Sequence, residues 1–402
     1  MSRNLISYYL SAFSMIALGV LRADESRYSL YSQAVVHQGL LSWQRAFMPR
    51  AWSFPRDHAA HKEFRTEWWY LVSNLRTKEG RRFGTQITFF RHGISSRGRS
   101  LYNSTVLRSA WRTDEIHFAH FAVTDRDRKQ FLYAERVNRP VLNRAGASDT
   151  SLDVWNADWW LRAAEDKSGV GCPRSPFHAV FFAKAEGFSA KLQISAIKPL
   201  VLQGHQGLSQ KSQEPGNASH YYSLTRLATE GEICIGNETF IVKGWSWFDR
   251  EFSTSALGSN QRGWDWFAIQ LDDNTEIMLY HLRTADGTYD PLSKGVFVDE
   301  NAATTLLTSR DFRIVNLDTW TSGLTGTKYP SGWNIKIPSL QIDLIVRPLI
   351  ENQELILQNF GKLSYWEGAC EVTGTTRRVP VTGHAYVELT GYSGDITAAM
   401  RR

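Results

Sequence analysis

The residues best suited to chemistry in this chain are carboxylates set among indoles. Gly244-Trp245-Ser246-Trp247-Phe248-Asp249-Arg250-Glu251-Phe252 is the clearest case. In an extended strand alternate side chains share a face, so Trp245, Trp247, Asp249 and Glu251 line one wall. A carboxyl desolvated by aromatic rings has a raised pKa and can donate a proton near neutral pH. The same wall can equally be a barrel closure in which Arg250 and the carboxylates form an inter-domain salt network. Gly263-Trp264-Asp265-Trp266-Phe267 repeats the theme, with Asp265 turned to the side opposite its two indoles. Tyr365-Trp366-Glu367-Gly368 and Glu388 add further acids near aromatic residues.

A third cluster runs from Phe54-Pro55-Arg56-Asp57-His58-Ala59-Ala60-His61 to Arg65-Thr66-Glu67-Trp68-Trp69-Tyr70. Glu67 is either a desolvated acid or a buried partner of Arg56 or Arg65. Asp57, His58 and His61 are spaced like metal ligands, but a metal centre needs at least three convergent groups, so a hydrogen-bonded structural cluster is expected and no metal is assigned. The candidate catalytic residues are thus Asp249, Glu251 and Asp265, with Glu67 or His58 in support. The candidate ligand-binding residues are Trp68, Trp69, Trp245, Trp247, Trp264, Trp266 and Tyr365. No G-x-S-x-G elbow, H-E-x-x-H, Walker loop or G-x-G-x-x-G fingerprint occurs, so the usual hydrolase, protease and nucleotide chemistries lack support and no cofactor is implied.

Positioning these groups requires sheets. The 402 residues exceed what one core usually organises, and 42% hydrophobic with 21% charged residues is ordinary globular composition. Aromatic content is the departure, 13% with 15 Trp, which suits β-sheet faces and apolar cavities. A net charge of +6 is scattered among acids, so nucleic acid is not an expected partner. Cys172, Cys234 and Cys370 form no CxxC pair; Cys172 with Cys234 can form a disulfide, and three buried thiols are the other reading.

From Thr66 onward the chain reads as many short strands, among them Arg82 to His92, Leu152 to Leu161, Trp264 to Leu271 and Arg378 to Leu389, with hairpin turns at Gly236-Asn237 and Asp286-Gly287. A weak repeat pairs Glu67-Trp68-Trp69-Tyr70 with Trp264-Asp265-Trp266-Phe267, and Val242-Lys243-Gly244-Trp245-Ser246-Trp247 with Val381-Thr382-Gly383-His384-Ala385-Tyr386. Each half opens and closes alike, which predicts an all-β protein of two tandem antiparallel barrels, 54–252 and 260–392. The Gly-, Ser- and Gln-rich loop from Gly204 to Asn217 is either a lid over a barrel mouth or a surface insertion.

Residues 1–22 have the layout of an export signal, a basic start followed by an apolar run from Leu5 to Leu21; they are either cleaved or kept as a membrane anchor. This places the mature chain in the cell envelope or outside the cell. Residues 23–53 form an extension with a short helix expected around Leu30 to Val36, and 393–402 a tail.

At the three aromatic-acid motifs, Phe54 to Tyr70, Gly244 to Glu251 and Gly263 to Phe267, the chain resembles the AttH-like proteins and carotenoid 1,2-hydratases, over about Trp52 to Tyr392. The resemblance implies two lipocalin-like barrels and a hydrophobic, isoprenoid-like ligand, and it suggests work beside a membrane transport system. Hydratase members of the family carry a His-x-Trp pair in the junction strand, and the matching positions here are Arg250 and Phe252. Three readings are then in view: an exported protein that binds a lipid or isoprenoid, a cofactor-free hydratase or hydrolase acting on one, or a structural envelope protein whose indoles fill cores.

Overall fold

A computed structural model of the chain describes residues 43–94, 113–165, 175–255, 257–360 and 363–394, with 167, 169, 171 and 172. The expected export segment, the helix near Leu30 and residues 395–402 lie outside the described residues.

Strands dominate, as the alternating pattern requires. The first half comprises β1 (Thr66–Arg76), β2 (Arg82–Gly93), β3 (Glu115–Asp125), β4 (Gln130–Asn138), β5 (Ala145–Ala147), β6 (Asp153–Asn156), β7 (Trp159–Ala163), β8 (His178–Ala185), β9 (Phe188–Ala196), β10 (Val201–Leu202), β11 (Leu208–Gln210), β12 (Ala218–Ile235) and β13 (Glu238–Ser253). The second comprises β14 (Gln261–Leu271), β15 (Glu276–Thr284), β16 (Lys294–Val298), β17 (Thr304–Thr308), β18 (Arg313–Thr321), β19 (Lys328–Ile337), β20 (Ile342–Pro348), β21 (Glu354–Leu357), β22 (Leu363–Thr376) and β23 (Val379–Leu389). The stretch expected as one strand from Leu152 to Leu161 is a hairpin instead. Ala157, at φ +58°, reverses the chain between β6 and β7.

Each half forms one antiparallel sheet. The first runs β4-β3-β2-β1-β13-β12-β9-β8-β7-β6-β5 and the second β17-β16-β15-β14-β23-β22-β20-β19-β18. The repeat now has a physical meaning: the opening hairpin of each half pairs with its closing strand, β1 on β13 and β14 on β23. The first sheet curls until distant strands meet. Phe121 of β3 stacks on Phe188 of β9, ring centroids 5.1 Å apart, and meets Phe181 of β8 at 6.4 Å. Its seam is closed by side chains. Arg136 of β4 donates to the carbonyls of Asn156 and Lys184 at 3.1 and 3.2 Å, and the Asn138 amide to Asn156 Oδ1 at 2.6 Å. In the second half Phe267 of β14 packs edge-on to Trp333 of β19 at 5.5 Å, and Trp333 lies 6.0 Å from Trp366 of β22. Both lumens are filled with buried side chains, as in small barrels generally. All three cysteines are free thiols.

A third apolar core lies between the barrels. Tyr70, Tyr221 and Trp247 from the first meet Trp266, Met278, Tyr280 and Tyr386 from the second. Polar ties reinforce this contact: Gln270 Nε2 donates to the carbonyls of Thr225 and Ser246 at 2.7 and 3.0 Å. At one edge Glu276 pairs with Arg226 and, at 2.9 Å, with Lys198. An inter-barrel salt network thus exists, but it uses these residues and not Arg250. The backbones approach so closely that a Cβ at Gly84 of β2 would sit 2.5 Å from the Ala369 Cβ of β22.

Candidate active site between the barrels

Strand alternation on β13 sends Ser246, Phe248, Arg250 and Phe252 into the first barrel and Trp247, Asp249 and Glu251 outward. Outward here means toward the second barrel. Between the two sheets lies a cavity of about 380 Å³ with Trp68, Tyr221, Asp249, Glu251, Trp264, Trp266, Tyr280, Tyr365, Glu367 and Glu388 on its walls. Neither lumen carries it, so the pocket is not a barrel mouth.

A hydroxyl ladder on β12 supports the carboxyl ladder on β13. Ser223 is the register partner of Asp249, and Tyr221 that of Glu251. The Tyr221 hydroxyl donates to Asp249 Oδ2 at 2.5 Å, Ser223 to Oδ1 at 2.5 Å, and the Trp247 indole to Oδ1 at 2.7 Å. These bonds favour the ionised form, but burial outweighs them and Glu251 adds to it, so the Asp249 carboxyl is pushed up to about 7. Glu251 differs in having a cation: Lys211 Nζ stands 3.0 Å away, and Ser219 donates to the same oxygen. Burial disfavours the Lys211 charge, yet Glu251 more than offsets this and raises its pKa. The ammonium also sits 5.3 and 4.7 Å from the ring centroids of Tyr221 and Tyr280. Lys211 comes from the loop expected to be a lid or an insertion. That loop instead runs partly as β11 on β12, and Ser209 reaches the Tyr280 hydroxyl at 3.1 Å, so it bridges the barrels.

From the second barrel, Glu388 accepts the Trp264 indole proton at 3.1 Å. Burial raises its pKa to about 7. Tyr365 faces His120 of β3, hydroxyl to Nδ1 2.8 Å, and burial lowers that imidazole to about 3, so it is neutral.

The remaining sequence candidates lie elsewhere. Glu67 and Trp69 point into the first barrel, where Glu67 pairs with both Arg91 and Arg250 and accepts the His61 backbone N–H at 2.9 Å. Burial alone would raise this carboxyl, but the two guanidiniums hold it well below the usual range, which does not suit a proton donor. Its partners are Arg91 and Arg250, not Arg56 or Arg65. The Arg250 guanidinium lies 3.9 Å over the Trp69 ring. Arg250 and Phe252, the positions matching the family's His-x-Trp pair, therefore face away from the cavity. His58 shares a contact of 2.5 Å with the Tyr222 hydroxyl inside the same barrel, and burial drops its pKa to about 3. His61 Nε2 bonds Asp57 at 3.0 Å, so these side chains form a hydrogen-bonded cluster. Asp265 faces the second lumen, held by Arg283 at 2.9 Å and the Tyr392 hydroxyl at 3.0 Å. Trp245 lines a separate polar cleft at the far edge, its ring 5.4 Å from the Arg226 guanidinium. Trp247 braces Asp249 from behind.

Sequence reasoning did not single out Tyr221, Ser223 or Lys211, and it named Glu367 and Glu388 without placing them in the site. The period-two hydroxyls Ser219, Tyr221 and Ser223 were a readable signal. For Lys211 there was none.

A family model described as AttH-like matches residues 45–392. An AttH-assigned protein from Nitrosomonas europaea is 30% identical, over 87% of this chain and 99% of that one, with a TM-score of 0.74. Kievitone hydratase from Nectria haematococca has the same fold at 14% identity, over 88% of this chain and 97% of that one, with a TM-score of 0.64. No curated protein sequence matches the chain. With its two barrels, its motif order and this match over most of its length, the chain belongs to the AttH-like family.

Proposed function

We propose that the protein is a hydratase that adds water to, or removes it from, an unsaturated hydrophobic substrate of isoprenoid type. One observation carries this reading: Asp249 is an acid poised near neutrality, buried in a cavity walled by aromatic rings. Hydration of an alkene is balanced by one proton and one water. Asp249 donates its proton to the less substituted alkene carbon; the π bond breaks, a C–H bond forms, and the neighbouring carbon becomes cationic. Trp68, Trp266 and Tyr280 are among the aromatic rings lining the cavity around that cation. Water then closes the C–O bond and gives up one of its two protons, and one proton returns to Asp249, so the net change is the addition of one water. The family's hydratase neighbour in fold supports the reaction class, with Asp249 rather than an imidazole as the acid, since Arg250, at the position of the hydratases' histidine, faces the lumen and not this cavity.

The apolar remainder of the wall, including Phe90, Ile116 and Phe118, favours a second reading as a hydrophobic-ligand carrier. Incubation with 2-prenylphenol and geraniol, with products monitored by mass spectrometry, separates the two. A hydratase forms alcohol that the Asp249→Asn variant does not, whereas a carrier binds equally well in both forms without product. The apolar run from Leu5 to Leu21 supports placing either activity in the cell envelope or outside the cell, and the resemblance to the AttH-like proteins suggests work beside a membrane transport system. N-terminal sequencing of the protein from the envelope fraction tests that placement, and copurification with transporter subunits tests the partner.

A further inference from the structure

The cavity carries a second titrating group, on the barrel opposite Asp249. Glu367 of β22 and Glu388 of β23 are register partners. Directly opposite residues on adjacent strands place their Cβ atoms about 5 Å apart on one face. Both carboxyls line the cavity, and among the described residues neither has a lysine or arginine partner. Two carboxyls this close on a largely buried wall disfavour ionising together, so the pair tends to hold one proton. Burial, reinforced by Glu388, raises Glu367 well above the carboxylate range, and the nearby Tyr70 and Tyr365 hydroxyls offset this only in part. Glu388, half-buried and bonded to the Trp264 indole, changes charge near neutrality.

A second observation points to a ligand at this wall. The Tyr70 hydroxyl and Glu367 Oε1 are buried in residues that line the cavity, and they are near enough to interact but make no hydrogen bond of ordinary length, which leaves room for a bound polar group to bridge them. Buried donors and acceptors left in this state are costly unless something that binds there satisfies them.

Building on the hydratase reading, we propose that Glu388, backed by Glu367, is the base that takes a proton from the attacking water while Asp249 gives one to the substrate carbon. Atoms and charge balance: the Asp249 O–H bond and the alkene π bond break, C–H and C–O bonds form, and one water proton passes to the Glu388 carboxylate. One proton then returns to Asp249 before the next turnover. In the dehydration direction the roles exchange, Glu388 protonating the leaving hydroxyl.

Two measurements on the full chain test this. In D2O with 2-prenylphenol and geraniol, Glu388→Gln should lose hydration by roughly 10²- to 10⁴-fold. It should still place deuterium in the recovered alkene, because carbon protonation by Asp249 needs no base. Asp249→Asn should lose both, and Glu388→Asp should recover part of the hydration. Hydration by Glu388→Gln within threefold of the parent overturns the assignment and leaves the Asp249 reading standing. Loss of exchange together with hydration in both Glu388 variants also overturns it, as a structural role. If the parent hydrates neither probe, infrared titration decides. A protonated-carboxyl signal that titrates near neutral pH in the parent and in Asp249→Asn, and vanishes in Glu388→Gln, supports the pair; its absence from the parent removes it.

Discussion

The Trp266 indole donates to the Tyr221 hydroxyl at 3.3 Å, so a residue of the second barrel steadies the donor that holds Asp249 in the first. The three direct donors to the acid all belong to the first barrel, and the second barrel braces one of them.

Replacing Tyr221 by Phe removes the 2.5 Å hydrogen bond that favours the ionised carboxylate. The Asp249 pKa then rises above its value of about 7, and the limb of the pH–rate profile that reports it moves to higher pH. A profile unchanged from the parent would show that Asp249 does not set that limb.

Asp249 also weakens the fold at alkaline pH. Its folded-state pKa lies above the unfolded value of 3.8, so between the two the native chain binds more protons and stability falls as pH rises. Asp249→Asn cannot ionise. Urea unfolding at pH 8 should find it more stable than the parent, by at most about 4 kcal/mol, with the difference vanishing below about pH 4.

Glu67 carries the opposite sign. Its folded-state pKa is depressed, so its contribution is complete above the unfolded value of 4.5 and is lost as pH falls below it. Glu67→Gln leaves Arg91 and Arg250 buried without their anion and should cost about 3–5 kcal/mol at pH 7. The penalty should shrink on acidification, which parallel urea titrations at pH 7 and pH 3 would reveal.

Trp68 stands on the cavity wall, half-buried, with its ring 6.5 Å from Phe90. Trp68→Ala should weaken binding of geraniol roughly 10- to 100-fold by calorimetry. The same change at Trp245, on the remote cleft, should leave that affinity within about threefold.

Alternation made much of this legible. It grouped Trp247, Asp249 and Glu251 on one face, set Asp265 opposite Trp264 and Trp266, and the repeat disclosed two barrels. What alternation cannot say is which face is lumen and which is interface, because both are buried and aromatic. Glu67 and Trp69 therefore read like Trp68, although the strand turns them into the ionic knot with Arg250. Pairing across strands is equally hidden. That Glu367 meets Glu388, or that a polar loop delivers Lys211, depends on register and chain path rather than local composition. β17 and β18 escaped notice because neither face is cleanly apolar: Asn316 and Asp318 interrupt the core-packed Ile314 and Trp320, while Leu306, Val315 and Leu317 are exposed among threonines.

At Gly84 and Ala369 the two barrels touch through little more than bare backbone. A methyl group at position 84 meets the Ala369 Cβ at 2.5 Å and cannot be absorbed by rotating a side chain. The two bodies must separate, and with them the opposing cavity walls that bear Asp249 and Glu388. Gly84 of β2 thus acts as a spacer gauge, and the width of the cavity can be tuned there without altering any residue on its walls.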